Sequence, residues 1–216
     1  MDILFLGFLR WNNYSIVLGH HDHHSFSLHL MQLCYLSLFM ILFPLLHSLP
    51  DMLWQLRSIF TSRRNICLYL CLTGICFFMT RSFTVLHPFL DADNRHYAQK
   101  YYKYVISRPH VHQWMSPVYS LCMYLLWCVF RGKRIEWVIT WIACTAAVLV
   151  LSPLFELRYF MVPSVMATIE VNPTNSKRKW LNIVYFLAVN AVVLWVFVQK
   201  PFVNQYMDGE LSRFFW

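Results

Sequence analysis

The chain has 216 residues, of which 58% are hydrophobic and only 13% charged, with a formal net charge of +8 at pH 7. Soluble domains carry about 25% charged residues, so this composition excludes an ordinary soluble domain. The bases sit in short clusters between apolar runs, as they do at membrane flanks, and that excludes a nucleic-acid reading of the positive charge.

The opening MDILFLGFLR has no basic leader and too short an apolar run for a signal peptide. A sequon follows at Asn13-Tyr14-Ser15. Gly19–His29 (GHHDHHSFSLH) then packs five histidines and one aspartate into eleven residues. Such a density of imidazoles suits zinc or copper; the plainer reading, taken here, is an interfacial polar loop with no metal, leading into a span. Ser25–Leu46 has no formal charge over 22 residues. Within it His29, Gln32 and Tyr35 form a polar stripe at helical spacing. An ionisable residue at that depth is costly, so the stripe serves either function or hydrogen bonding between helices.

Further apolar runs follow at Ile66–Thr80, extended beyond Arg81, at Met115–Phe130, at Trp137–Phe155 and at Trp180–Gln199. A crossing helix needs about 20 apolar residues for roughly 30 Å of hydrocarbon. The expectation is an all-α, polytopic transmembrane helical bundle forming one domain over residues 1–216, with about five spans near 25–46, 66–86, 115–130, 137–155 and 180–199. The seven cysteines all lie inside these runs and read as small packing residues.

The connections carry the polar chemistry. His87-Pro88 stops the preceding helix, and Asp91 or Asp93 suits the N-cap of a new one. An interfacial helix is expected near 94–106, with Tyr97, Tyr101, Tyr104 and Val105 on one face at headgroup depth and Pro109 ending it. Arg131-Gly132-Lys133-Arg134 reads as a tight basic hairpin. Glu156 and Arg158 close the fourth run in Phe155–Pro163 (FELRYFMVP). Five crossings put 1–24, 87–114 and 156–179 on one face, read as luminal, and 47–65, 131–136 and the tail on the other. Leu157–Ile169 is the segment that would reverse the last span if it also crossed.

Arg95 and His96 are donors suited to a phosphate, Arg by its bidentate fork; the structural alternative is an i, i+4 pair between Asp91 and Arg95. Glu156 and Arg158 are either a second patch of the same site or a pair snorkelling at a helix end. All these patches fall on one face in the five-crossing arrangement, where a lipid-borne phosphate would meet them.

HPFLDADNRHYAQKYY (from His87) resembles the His-Pro/Lys-x-Leu-x-Ala-Asp-Asn-Arg-His-Tyr signature of the dolichyl-phosphate-glucose alpha-1,2-glucosyltransferase family, most specifically over Ala92–Tyr97. FELRYFMVP resembles its Glu-Phe-Arg-Tyr-Phe-x-x-Pro stretch, and VLGHHDHHSFSLHLMQLCYL carries over His24, His29, Gln32 and Tyr35; the closing Arg213-Phe-Phe-Trp216 also matches. The chain departs in having His20-His21 where many members have Asp-Lys. Members are also longer at the N-terminus, so the chain is expected to be the C-terminal portion of a multi-span glycosyltransferase of the endoplasmic reticulum membrane.

The resemblance implies transfer of the terminal alpha-1,2-linked glucose from dolichyl phosphate glucose to the diglucosylated dolichyl-diphosphate-linked oligosaccharide of protein N-glycosylation. It implies no cofactor, and membrane lipids rather than nucleic acid as surroundings. The substrate-binding residues it implies are Asn94, Arg95, His96, Arg158, His24 and His29. The catalytic carboxylate is expected upstream of this chain, with Asp91 and Asp93 as substitutes or orienters. The competing readings are a non-catalytic membrane protein of the same family and a metal-ion transporter built on GHHDHH.

Overall fold

A computed structural model describes residues 2–12, 14, 27–45, 48–87, 90, 96–171, 176–203 and 211–213. The described chain is nearly all helix: α1 (Asp2–Trp11), α2 (Met31–Leu42), α3 (Leu49–Thr61), α4 (Arg63–Ser82), α5 (Tyr97–Tyr101), α6 (Pro109–Trp114), α7 (Ser116–Phe130), α8 (Ile135–Leu149), α9 (Met161–Val171) and α10 (Ser176–Gln199). A π turn (Tyr102–Ile106) continues α5 and a 3₁₀ turn (Leu157–Phe160) precedes α9. Two short strands, β1 (Phe202–Val203) and β2 (Leu211–Ser212), pair antiparallel.

Local chemistry sets these boundaries. Proline stands in the first turn of α3, α6 and α7, where its missing N–H has no helical partner to lose. Extended Ser62 separates α3 from α4. Gly132, at φ 90°, turns the basic hairpin from α7 into α8. The five expected runs do form α2, α4, α7, α8 and α10. The sequence holds no expected helix at α1, α3 or α6, and α9 falls on Leu157–Ile169, the candidate extra crossing.

Helix α7 is the centre, packed against α2, α3 and α4. Where three helices meet, the sulfur atoms of Cys34 and Cys76 lie 3.7 and 3.9 Å from Met123 Sδ, a soft contact among buried side chains. Helix α10 buries none of its residues, although it is uncharged from Trp180 to Gln199. Among the described residues, α4 and α10 are long and apolar enough to cross a membrane, whereas α2 and α8 have only 12 and 15 residues. At about 1.5 Å per residue such helices fall short of roughly 30 Å, so their helical parts alone do not supply the expected full-length spans.

Side-chain and backbone contacts sort the connections into two ends. At the first end, the His29 N–H donates to the Val150 carbonyl at 2.8 Å, and Thr84, His112, Tyr101 and Phe155 gather around Tyr35. At the second end, Arg178 pairs with Asp51 at 2.6 and 3.1 Å, and Lys133 Nζ donates to the Glu170 carbonyl at 2.6 Å. Tyr185 and Asn182 reach the Leu42 and Pro44 carbonyls there, beyond the middle of α2. A cleft of about 180 Å³ opens at this end, lined by Asp51, Leu125, Val129, Val171 and Arg178 among others.

This geometry corrects the placement of residues 156–179 on a single face. Glu156–Phe160 lie at the first end, while Glu170 and Arg178 lie at the second. Helix α9 runs back along α8: Trp141 Nε1 donates to the Pro163 carbonyl at 2.9 Å, and Lys133 meets Glu170. Phe160, fully buried between Phe39 and Phe155, anchors the start of that return. Helix α10 therefore starts at the second end and finishes at the first, where Phe202 lies under Lys100 with the ammonium 5.8 Å from the ring centroid.

Candidate active face

The first turns of α2 build the heart of the first end. His29, Gln32 and Tyr35 follow one another at three-residue steps and so share a face; all three are buried. Gln32 Nε2 donates to the Leu154 carbonyl at 2.7 Å and lies 3.3 Å from His29 Nδ1. An amide nitrogen only donates, so His29 Nδ1 accepts and the ring proton sits on Nε2. Gln32 Oε1 has no hydrogen-bond partner among the described residues, while the backbone carbonyls of Ser152 and Pro153 face the His29 imidazole. A fully buried acceptor left in this state costs about 1–3 kcal/mol and marks the face as one shaped by more than packing.

Tyr35 ties this stripe to the rest. Its hydroxyl is 3.1 Å from His112 Nε2, and Thr84 Oγ1 is 3.4 Å from His112 Nδ1. Thr84 spends its single proton on the Thr80 carbonyl at 2.8 Å, so towards His112 it accepts. Nδ1 then carries the imidazole proton, and Tyr35 O–H donates to Nε2. Burial, with help from repulsion by His29, pushes the His112 pKa down to about 4, in keeping with this neutral ring. The Tyr35 ring meets Phe155 edge-on at 5.0 Å, and Tyr101 and Tyr119 at 6.2 and 5.8 Å. Tyr101 and Tyr119 share a 2.6 Å hydroxyl contact; burial raises the Tyr101 pKa to about 12, so both phenols stay protonated.

The interfacial helix begins at Tyr97 rather than near residue 94, with His96 as its extended N-cap. It changes pitch at Tyr102: the Ser107 N–H bonds five residues back to the Tyr102 carbonyl. That π turn breaks the expected tyrosine face. Tyr102 and Ile106 turn inward, while Tyr104 is exposed beside the Arg108 guanidinium. Such turns insert extra backbone within a helix and recur at functional sites.

Of the residues singled out in the sequence, His29 is in the buried stripe and His96 at the start of α5. Arg158 stands on the 3₁₀ turn with its side chain 74% exposed, paired with Glu156 and stacked on Tyr159 at 5.7 Å. The Glu156 carboxylate holds the Arg158 pKa above its ordinary value. His24, Asp91, Asp93, Asn94 and Arg95, with the remaining histidines of GHHDHH, lie outside the described residues. Sequence reading missed His112, Thr84 and Tyr119. The available signal was the seven-residue step from His112 to Tyr119, two turns apart across the Met115 junction.

The face thus offers an exposed guanidinium held over a buried, neutral, hydrogen-bonded floor. Chemically it can receive an anion without taking on a buried charge.

A model of the DIE2/ALG10 family matches residues 1–169. The curated relatives are named Dol-P-Glc:Glc(2)Man(9)GlcNAc(2)-PP-Dol alpha-1,2-glucosyltransferase. That of Arabidopsis thaliana is 31% identical over 97% of this chain and 42% of its own length. That of Debaryomyces hansenii is 31% identical over 99% and 50%, and one from Homo sapiens 28% over 100% and 45%. The chain spans about half the length of the curated relatives it matches. No solved structure matches.

Proposed function

The chain belongs to the DIE2/ALG10 family, and from that membership we propose that it forms the lipid-phosphate-gripping part of an alpha-1,2-glucosyltransferase. The donor is dolichyl phosphate glucose and the acceptor the diglucosylated dolichyl-diphosphate oligosaccharide, as the relatives' names indicate for those proteins. One observation carries the reading: the start of α2, the Thr84–His112 region and the Phe155–Arg158 turn meet around Tyr35 at one end of the bundle. Family membership favours glycosyl transfer over metal transport.

In this reaction the acceptor hydroxyl oxygen attacks C1 of the glucose, the C1–O bond to phosphate breaks, and the phosphate leaves with the electron pair. A carboxylate takes the acceptor proton, and the β-linked donor gives an α-linked product by inversion. Arg158, Arg95 and His96 offset the charge that gathers on the departing phosphate, with Asn94, His24 and His29 lining the site. Asp91 and Asp93 orient Arg95 or the acceptor and, where this chain acts alone, are the substitute carboxylates for that proton.

The bundle crosses the endoplasmic reticulum membrane six times in this reading, because α9 adds a pass that the five-run count omits. Arg131, Lys133, Lys177, Arg178 and Lys179 then flank the cytosolic end, and the face around Tyr35 is luminal. Two measurements test this. Introduction of the chain into cells that accumulate the diglucosylated precursor restores the third glucose; a membrane-inserted chain that restores none is the non-catalytic family member instead. Single cysteines at 103, 158 and 177, with exposed Cys67, Cys71 and Cys144 replaced, react with an impermeant maleimide from two sides. The sixth pass predicts 103 with 158 and opposite to 177, and labelling of 158 and 177 from one side removes it.

A further inference from the structure

Three segments meet at the candidate face, and beside the backbone bond from the His29 N–H to the Val150 carbonyl the side-chain hydrogen bonds between them pass through Gln32 and His112. Gln32 spends both its N–H groups there, one on the Leu154 carbonyl and one on His29. Leu154 precedes Arg158 by four residues, with Phe155 between them wedged against Tyr35, Tyr101 and Phe160. His112 closes the other side: it accepts from Tyr35 and donates to Thr84, which in turn donates to the last turn of α4. Gln32 and Tyr35 are one helical turn apart, so the whole chain of contacts runs through α2.

We propose that Gln32 and His112 are positioning residues: Gln32 fixes the Leu154–Arg158 turn on α2, His112 fixes Tyr35 against Thr84 at the end of α4, and together they preset the spacing of Arg158 from His96. This rests on the lipid-phosphate reading given above. Neither side chain meets the substrate. Both are buried and neutral, so each acts by geometry: Gln32 by a 2.7 Å bond to backbone, His112 by two directional bonds whose donor and acceptor senses are fixed by Thr84. A donor held off its position by about 1 Å loses much of its effect on a transferring group.

The test uses the full chain in lipid nanodiscs with genetically encoded spin labels at Tyr104 and Met161. Both are exposed, and they flank the two donor-bearing segments. Gln32→Met and His112→Phe keep volume and remove the hydrogen bonds; His112→Asn keeps a donor for Thr84. The parent gives one narrow inter-label distance. Gln32→Met and His112→Phe broaden it while the helical circular dichroism holds, and His112→Asn restores the narrow distribution. With dolichyl phosphate glucose as donor, the first two raise donor KM roughly 5- to 10-fold, the cost of about one hydrogen bond, leave kcat within about twofold, and His112→Asn brings KM back. An unchanged distance width in both bond-removing variants overturns the proposal, and so does loss of helicity in step with KM. If the parent transfers no glucose, the lipid-phosphate reading has failed for this chain, and the distance distributions still decide whether the two residues hold the segments together.

Discussion

The Tyr101–Tyr119 pair makes an asymmetric prediction. The hydroxyls are 2.6 Å apart, Tyr119 is fully buried, and Tyr101 is only half-buried. Tyr101→Phe strands the Tyr119 hydroxyl where water does not reach, and an orphaned buried hydroxyl costs about 1–3 kcal/mol. Tyr119→Phe leaves the Tyr101 hydroxyl near headgroup water, so only the bond itself is lost; bonds of this kind within membranes contribute roughly 0.6 kcal/mol. The double variant removes both groups and strands nothing, so its cost is expected near or below that of Tyr119→Phe. For a chain of this size about 1 kcal/mol moves Tm by roughly 2–4 °C. Tyr101→Phe at about 2 kcal/mol therefore lowers Tm by roughly 4–8 °C, and Tyr119→Phe by roughly 1–3 °C. Thermal scans in one detergent at one scan rate measure this, since membrane-protein unfolding is often rate-governed. If Tyr119→Phe proves the costlier change, or if the double variant equals the sum of the singles, the pair is not a mutually satisfying buried contact.

His112, with its pKa lowered to about 4, gives a pH dependence. The unfolded ring takes up its proton near pH 6.5, while the folded ring resists down to about 4, so its contribution is full above about pH 6.5 and falls between those values by up to about 3 kcal/mol; Tm across pH 4–8 shows the decline, and His112→Phe makes it shallower by that share. Phe160→Ala empties a fully buried site between Phe39 and Phe155 and should cost about 3 kcal/mol, read as a Tm fall of roughly 6–12 °C. Arg158→Ala removes a charged donor worth about 1.5–3 kcal/mol in a hydrogen bond, so donor KM rises at least roughly tenfold; Arg158→Lys recovers part of it, because a point charge lacks the fork. An unchanged KM in Arg158→Ala places the phosphate elsewhere.

Long apolar runs made α4, α7, α8 and α10 legible, because 15 to 20 consecutive uncharged residues admit few structures other than a buried or lipid-facing helix. The stripe of His29, Gln32 and Tyr35 was legible for a related reason: polar residues at helical spacing inside such a run share one face. Helix α3 was not, since its charged, amphipathic sequence resembles a loop when only hydropathy is read. Helix α9 was legible only as a candidate extra crossing over Leu157–Ile169; eleven residues with Pro163 in the first turn do not by themselves mark a pass, and what fixes its direction is Trp141 and Lys133, far away in sequence. The outward turn of Tyr104 was equally invisible, because a π turn shifts every later side chain and leaves no compositional mark. His112 sits in a stretch that reads as a polar connection, and its role emerges only when Thr84 and Tyr35 are seen on either side of it.

The return of the polypeptide along α8 through α9 has a consequence for how such a unit can be joined to others. Ser27 and Phe202 flank the same end of the bundle. On the six-pass reading proposed above, the chain is handed back on the side from which it was received, so whatever sequence is fused ahead of it keeps its own orientation and the tail borders the same compartment.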